Sequence, residues 1–359
     1  MKKYNLVILL IVTSLLLSSC SMLEGVLDSV SGSDHSVAAA GLPTATPTPF
    51  MPVTGTEENT DEAAEESESS IVAEPASTSM PQDPWESFPG PSTSSAIEIS
   101  PPMPEVALSE NAITFALLGS DQRSGGYGYR TDSIIIVVVD PKSEKVVMLS
   151  VPRDLYVYIP GWKVERINSA DAHGGETALE QTILYNFGIP IDYWVRINFN
   201  GFISAIDSIG GIDVEVTGYL NDEYGGTWYN YTPGTYHMDG FQALGYVRMR
   251  KTSSDFDRLR RQQEVIKAIF KKVISLDGLS RIADLYEQFN VLFQTNLSVM
   301  NMLPLIPTAS KVASGDISIT GQTLSQDHVT SWTVPSTGAA VLLPRREVLI
   351  ALIEDLFAE

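Results

Sequence analysis

"SIIIVVVDPKSEKVVMLSV", residues 133–151, decides the fold. Its first part, "SIIIVVVD" (133–140), is apolar at consecutive positions rather than alternate ones. A strand buried on both faces reads this way, so it belongs inside a sheet covered on two sides. "PKSE" supplies a tight turn, and "KVVMLSV" (145–151) a second strand that Pro152 ends, because proline has no N–H to give to a ladder. So short a connection makes the two strands antiparallel. Upstream, "ITFALLG" (113–119) is a third β-rich run. Downstream, "GGETALEQTILYNFG" (174–188) predicts a helix with a glycine stop. "IDYWVRINF" then predicts a strand, "NGFISAIDSIGG" a short helix, "IDVEVT" a strand, and the closing "REVLIALIEDLF" an amphipathic helix. Such alternation predicts an α/β fold with a mixed sheet covered by helices.

Folding the chain about Lys142 sets Asp132 opposite about Pro152. "RTD" (130–132) then lies beside "PRD" (152–154), and if "ITFALLG" is also a neighbour, "SDQR" (120–123) reaches the same edge. Asp121, Asp132 and Asp154 meet Arg123, Arg130 and Arg153 there. Strand-end salt bridges would account for any one pair. Crowding all six at one sheet end is costly unless something neutralises the like charges.

The chain has 359 residues and a net charge of −21, with 23 Lys+Arg against 44 Asp+Glu. A net acidic surface excludes a duplex nucleic-acid binder, which needs a basic face to displace counterions. Yet "SDFDRLRRQQ" (254–263) gathers Arg258, Arg260 and Arg261, shortly after Arg248, Arg250 and Lys251. Asp255 or Asp257 caps a helix running to about Ile274. Its apolar arc comprises Leu259, Val265, Ile266, Ile269, Phe270 and Val273, with Arg260, Glu264, Lys267 and Lys271 opposite. Arg258 and Gln262 fall inside that arc, and Arg261 just off its edge. An inward guanidinium needs a partner: either an internal carboxylate, or an anionic ligand whose phosphate oxygens suit the planar five-donor fork. Arg248 and Arg250, two apart on an extended segment, point to one side. Their simplest common destination is a pyrophosphate. Asp121 and Asp132 would then hold a divalent cation, Mg²⁺ before Mn²⁺, since Mg²⁺ takes few carboxylates and completes its shell with substrate phosphates.

The N-terminus reads as an export signal: a basic "MKK", an apolar "LVILLIVTSLLL", then "LSSC" ending in the only cysteine, Cys20. Residues 1–19 resemble a bacterial lipoprotein signal peptide, with Cys20 the lipidated residue; an ordinary signal peptide or an uncleaved anchor are the alternatives. Residues 20–104 hold most of the prolines and many acids, and read as a disordered Ser/Thr/Pro/Glu-rich tether. The folded domain is expected over 105–359. With no second cysteine, a disulfide framework and a thiolate zinc site are both excluded. The four histidines are scattered without metal-ligand spacing, although His173 lies near a motif edge.

These motifs together resemble the LytR-CpsA-Psr family of bacterial envelope proteins. The resemblance runs through "LLGSDQRSGGYGYRTDSIIIVVVDPKSEKVVMLSVPRDLYVYIPG", "ERINSADAHGG", "IDYWVRINFNGFISAIDSIGGIDVEV", "GTYHMDGFQALGYVRMRK" and "SDFDRLRRQQEVIKAIF", best over residues 112–275. It implies an α/β domain with a mixed sheet between helices and an apolar cavity for a polyprenyl chain. It implies Mg²⁺-dependent transfer of a glycan or teichoic-acid-like polymer from a polyprenyl-pyrophosphate carrier onto peptidoglycan, at the extracytoplasmic face of the membrane. Hydrolysis of the carrier, or binding without catalysis, are the competing readings. By motif, Asp121 and Asp132 become the metal carboxylates. Arg130, Arg153, Arg248, Arg250, Arg258 and Arg261 become the pyrophosphate clamp, and Asn168 and Gln262 add polar contacts. Asp154 orients an arginine, with a role as base the lesser alternative, and Arg123 also matches the pattern. Two departures are Leu155, where a small hydroxyl residue is usual, and Arg166, where lysine is common. A third is the lipidated Cys20, where a transmembrane anchor is usual. Phe199, Phe202, Ile203, Ile206 and Ile209 read as core residues first and cavity lining second.

Overall fold

The computed structural model describes residues 88–122, 129–275 and 282–357. Cys20, the signal peptide, the greater part of the tether and Arg123 lie outside these residues.

Three strands form the heart of the sheet: β1 (Ile113–Ser120), β2 (Thr131–Asp140) and β3 (Lys145–Val151). β2 pairs antiparallel with both neighbours. The β2–β3 turn is held by Asp140, whose carboxylate accepts from the amides of Lys142 (2.9 Å) and Ser143 (3.2 Å) and from the Ser109 hydroxyl. The full sheet has six strands in the order β11-β6-β1-β2-β3-β12, with β6 (Tyr193–Asn198), β11 (Phe293–Thr295) and β12 (Ile319–Thr323). β6 runs parallel to β1 and β12 parallel to β3. The sheet is therefore mixed, as the sequence predicts.

Successive residues of β2 enter different cores. Ile134, Ile136 and Val138 pack with helix α1 (Ala170–Phe187), through Leu179, Ile183 and Phe187, and with the C-terminal helix, through Leu349 and Ile353. Ile135 and Val137 face the other way, against Met148, Ile317 and Ile266. Burial on both faces is why this strand carries no polar alternation. Within α1, Gly174 and Gly175 leave the helical conformation, Gly175 at φ 68°, so the regular helix starts at Glu176.

Between β6 and the long helix α4 (Asp255–Ser275) lies a smaller unit. It comprises α2 (Phe199–Ser208), β7 (Ile212–Val216), the hairpin β8 (Leu220–Tyr224) and β9 (Thr227–Tyr231), β10 (Gly234–Met238) and α3 (Gly240–Arg248). Ile206 sits in its core, with the half-buried Phe199, Phe202, Ile203 and Ile209 packed around it.

The packed region begins earlier than expected. Met103 is buried, its amide donates to the Tyr185 carbonyl (2.8 Å), and Phe88 meets the Tyr185 ring edge-on at 5.0 Å. Residues 88–104 thus lie against the domain, and the expected boundary at 105 is too late. Their proline-rich composition hides this, because they dock as irregular backbone. Gly188 is the linchpin of that docking. It ends α1 at φ 66°, and a Cβ there would lie 1.9 Å from the Pro104 carbonyl oxygen. A left-handed alanine alone costs about 1–2 kcal/mol, so Gly188→Ala is expected to destabilise the fold by about 2 kcal/mol or more. Thermal unfolding of the two proteins checks this.

Candidate functional site

Four parallel strands end at one edge of the sheet, and the charged motifs stand there. β1 ends at Ser120 and β6 at Asn198, which are register partners, so Asp121 and Phe199 follow side by side. β2 starts at the same edge with Thr131, and β3 leaves it into Pro152, Arg153 and Asp154. Crevices at the carboxyl ends of strands are where open α/β sheets bind ligands. Asp121 is fixed there by two bonds to one residue: its amide donates to the Arg130 carbonyl (3.1 Å), and its carboxylate accepts from the Arg130 amide (2.6 Å).

Asp132 occupies an irregularity. Gly119 pairs with Ser133 but Ser120 pairs with Thr131, so Asp132 is an extra residue in β2. Such a bulge bends the strand and re-aims a side chain. Its carboxylate accepts from Arg153 Nη1 (2.9 Å) and from Asn168 Nδ2 (3.1 Å). Beyond it an alternating chain of charges continues. Asp154 stands 3.4 Å from Arg153 Nε and 3.2 Å from Arg166 Nε, and Arg166 also donates to the Ala340 carbonyl (2.7 Å). Burial pulls the Arg153 pKa down, but Asp132, Asp154 and Asp255 together outweigh it and hold the guanidinium above its ordinary value. Asp154 thus orients two arginines, in line with its expected part.

Helix α4 crosses this edge. Its cap is Ser254 rather than Asp255 or Asp257: the Ser254 hydroxyl accepts from the Asp257 amide (3.1 Å), and the Asp257 carboxylate accepts from the Ser254 amide (3.1 Å). Asp255 is thereby left for another task. Arg258 is 5% exposed; its Nη2 lies 2.9 Å from Asp255 Oδ2 and its Nη1 donates to the Asp132 carbonyl (3.2 Å). Both partners foreseen for an inward guanidinium are compatible with this placement, because Arg258 Nε stays buried without a hydrogen bond. So do Gln262 Oε1, Asp255 Oδ1, Arg153 Nε and Arg166 Nε. Arg153 Nε and Arg166 Nε still face Asp154 as ion pairs, but buried polar groups are overwhelmingly bonded, so Arg258 Nε, Gln262 Oε1 and Asp255 Oδ1 together mark a place built to receive something polar.

Arg261 differs. It is 1% exposed and donates through Nε to the Tyr246 carbonyl (2.9 Å), through Nη2 to the Met249 carbonyl, and through Nη1 to the Ser253 hydroxyl (3.1 Å). Its fork closes the end of α3. No carboxylate forms an ion pair with it among the described residues, and burial pulls its pKa down. Arg248 is the last residue of α3, not part of an extended segment; a capping box of Asp239 and Gln242 starts that helix. Arg248 and Arg250 are both exposed, while Met249 between them is buried. Arg248 lies over the Phe199 ring at 4.1 Å and donates to the Tyr224 hydroxyl (3.1 Å), which places it at the same sheet edge as Asp121. The side chains of Arg130 and Arg250 are exposed and have no polar partner among the described residues.

Sequence reasoning passed over Asp255 as a partner, Arg166 as a member, and a buried pair behind the edge. That pair is Asp171 and Arg196, joined by a hydrogen bond, with Thr131 Oγ1 donating to Asp171 (2.8 Å) and the Tyr129 ring 5.6 Å from the Arg196 guanidinium. An arginine in the otherwise apolar "YWVRIN" strand was the available signal. A cavity of about 600 Å³ lined by Glu110, Asn111, Ile113, Pro141, Lys142 and Pro304 sits at the opposite, turn-bearing edge and has no part in this site.

The sequence model of the LytR_cpsA_psr family matches residues 68–341. A relative from Oceanobacillus iheyensis, polyisoprenyl-teichoic acid–peptidoglycan teichoic acid transferase TagU, is 34% identical over 205 residues, which are 55% of this chain and 62% of the relative. The chain thus spans less than two thirds of that relative's length. Among solved structures, B. subtilis TagV shares 27% identity over 70% of this chain and 98% of its own, with a TM-score of 0.59. TagT bound to LIIa-WTA shares 26% over 72% and 97%, with a TM-score of 0.54.

Proposed function

We propose, since this chain belongs to the LytR-CpsA-Psr family, that it is a phosphotransferase. It moves a glycan or teichoic-acid-like polymer from a polyprenyl-pyrophosphate carrier onto peptidoglycan, and a phosphodiester forms. The observation that carries this is the sheet edge where the buried Arg258 keeps its Nε without a hydrogen bond, next to Arg153 and Arg166 gathered on Asp154 and the exposed guanidiniums of Arg130 and Arg250. Phosphoryl transfer needs little covalent help and much fixed positive charge around the phosphates. The name of the Oceanobacillus relative supports the same class of substrate.

Arg258, Arg153 and Arg130 would hold the pyrophosphate oxygens, with Arg248 and Arg250 closing from the α3 side. Asn168 and Arg153 keep the Asp132 carboxylate in one orientation. Asp121 and Asp132 are the residues that would hold Mg²⁺. Among the described residues no group of three or more His, Cys, Asp or Glu is placed to hold a metal; Mg²⁺ on these two carboxylates would complete its shell with phosphates and water. When bound, such an ion neutralises phosphate charge. Lipidation at Cys20 would keep the domain at the extracytoplasmic face of the membrane.

The test uses the full chain, a short-chain polyprenyl pyrophosphate sugar, Mg²⁺, and peptidoglycan glycan fragments as acceptor. Release of polyprenyl phosphate only with acceptor supports transfer. Release without acceptor replaces it with hydrolysis, and binding without release under any condition overturns it. Arg130→Ala and Arg250→Ala each remove a charged donor worth about 1.5–3 kcal/mol, so each should lower turnover at limiting substrate roughly 10- to 150-fold, measured in the same assay.

A further inference from the structure

The β8–β9 hairpin shows a face the reaction above does not use. Leu220 pairs with Tyr231, and Asp222 with Tyr229, and the first three of these are buried. Alternation puts Asn221, Glu223, Trp228 and Asn230 on the opposite face, with Asn221 across from Asn230 and Glu223 across from Trp228. Tyr219 stands immediately before β8 and is exposed as well. Trp228 is 65% exposed and Tyr219 is 80% exposed. Each leaves a large apolar ring in water, although burying such rings is among the strongest contributions to stability.

We propose that this outward face binds a glycan strand by stacking sugar rings on Trp228 and Tyr219. The chemistry of the face selects that occupant. A pyranose ring offers C–H groups on its faces and hydroxyls around its rim. The two aromatic rings suit the first, and the amides of Asn221 and Asn230, each donor and acceptor, suit the second. Three strand steps separate Leu220, next to Tyr219, from Glu223, the partner of Trp228, or about 10 Å, a span longer than one sugar ring. Between the rings the face carries no aliphatic side chain of the kind that fills a protein interface core. Its one carboxylate, Glu223, is paired with Lys251 (3.1 Å), so no excess of positive charge draws it to an anionic membrane.

The hairpin is also fastened to the arginine segment. Asp222 accepts from the Lys251 amide (2.7 Å), Thr252 donates to the Asn221 carbonyl (2.7 Å), and the Tyr224 hydroxyl accepts from Arg248 (3.1 Å). These bonds fix the hairpin through its inner face and backbone, and on the outer face Glu223 reaches Lys251 of the same segment. Identifying the glycan strand as the acceptor peptidoglycan rests on the proposed transferase reading; the stacking does not.

The test titrates the full chain with a β-1,4-linked tetramer of N-acetylglucosamine by calorimetry, for wild type, Trp228→Ala and Tyr219→Ala. Both side chains are largely solvent-exposed, so both variants fold, and circular dichroism checks that. Wild type should bind, with each variant weaker by about tenfold. Equal binding by wild type and Trp228→Ala, or no binding by wild type, overturns the proposal. So does the alternative in which Trp228→Ala loses affinity only for anionic lipid vesicles. Binding of short-chain polyprenyl pyrophosphate is measured in parallel and should be unchanged in both variants. If wild type binds the tetramer but not the lipid, the transferase reading fails while the glycan face stands.

Discussion

Arg258→Ala should weaken binding of a short-chain polyprenyl pyrophosphate by roughly 30-fold to several thousand-fold, the range that follows from losing a buried, hydrogen-bonded charge worth about 2–5 kcal/mol. Three features put this residue first. It is almost fully buried, it ties α4 to the main chain of Asp132, and its Nε is buried without a hydrogen bond. Arg258→Lys keeps the charge but loses the planar fork, and should fall between the two, because a lysine offers a point charge in place of paired donors. Asp255→Asn separates ligand binding from structure. If Arg258 served only its ion pair with Asp255, then Asp255→Asn would cost as much stability as Arg258→Ala, and neither change would alter affinity for the lipid. Calorimetric titration with the lipid, beside thermal unfolding of all four proteins, decides it. Unchanged affinity in Arg258→Ala removes the pyrophosphate from this edge and leaves the fold intact.

Arg261→Leu should instead be a stability variant. It strands the carbonyls of Tyr246 and Met249, both residues being buried, and takes away the bonds that close α3. Each buried acceptor left without a donor costs about 1–3 kcal/mol, so a total of about 3–5 kcal/mol is expected. For a domain of this size that is a fall of roughly 10 °C in Tm, read by calorimetric or spectroscopic melting. Arg261→Lys should recover part of it. Loss of activity alone, with Tm unchanged, would return Arg261 to the group that touches the ligand directly. Its three internal bonds, one from each guanidinium nitrogen, argue for a positioning role: it holds the main chain from which Arg248 and Arg250 project.

Much of this was legible in the sequence, for definite physical reasons. A strand buried on both faces must be apolar at every position, so "SIIIVVVD" could be read without ambiguity, and a short turn leaves little choice of pairing. The foreseen register differs from the observed one by a single residue: continuing the pairing of Ile134 with Val151 sets Asp132 against Arg153 rather than Pro152. The bulge at Asp132 was not legible, because it depends on which residues of β1 face it. Arg261 was placed at the edge of the buried arc because a helical wheel presumes one packing surface. Helix α4 packs on the sheet at β3 and β12, and on β7 and α3 as well, so its buried arc is wider than its apolar stripe. Arg248 was read as extended, although Asp239 and Gln242, three residues apart, are a capping signal that the structure uses. The Asp171–Arg196 pair needed tertiary knowledge, since its two halves come from a helix start and a strand interior.

The arginines of this edge fall into two kinds, and ionic strength should tell them apart. Arg258 and Arg261 are buried, while Arg130, Arg248 and Arg250 face solvent. Exposed charges are screened over a Debye length of about 8 Å at physiological salt, whereas buried ones are screened much less. The outer guanidiniums therefore act as a capture zone whose reach contracts as salt rises. On the proposed function, the buried Arg258 would hold an anion already seated with a strength that varies little, while Arg261, bonded internally, holds the main chain around it. On that reading the domain would meet salt that the cell does not set, and this arrangement would make the rate of capture sensitive to the surroundings and the hold on the captured phosphate largely indifferent to them.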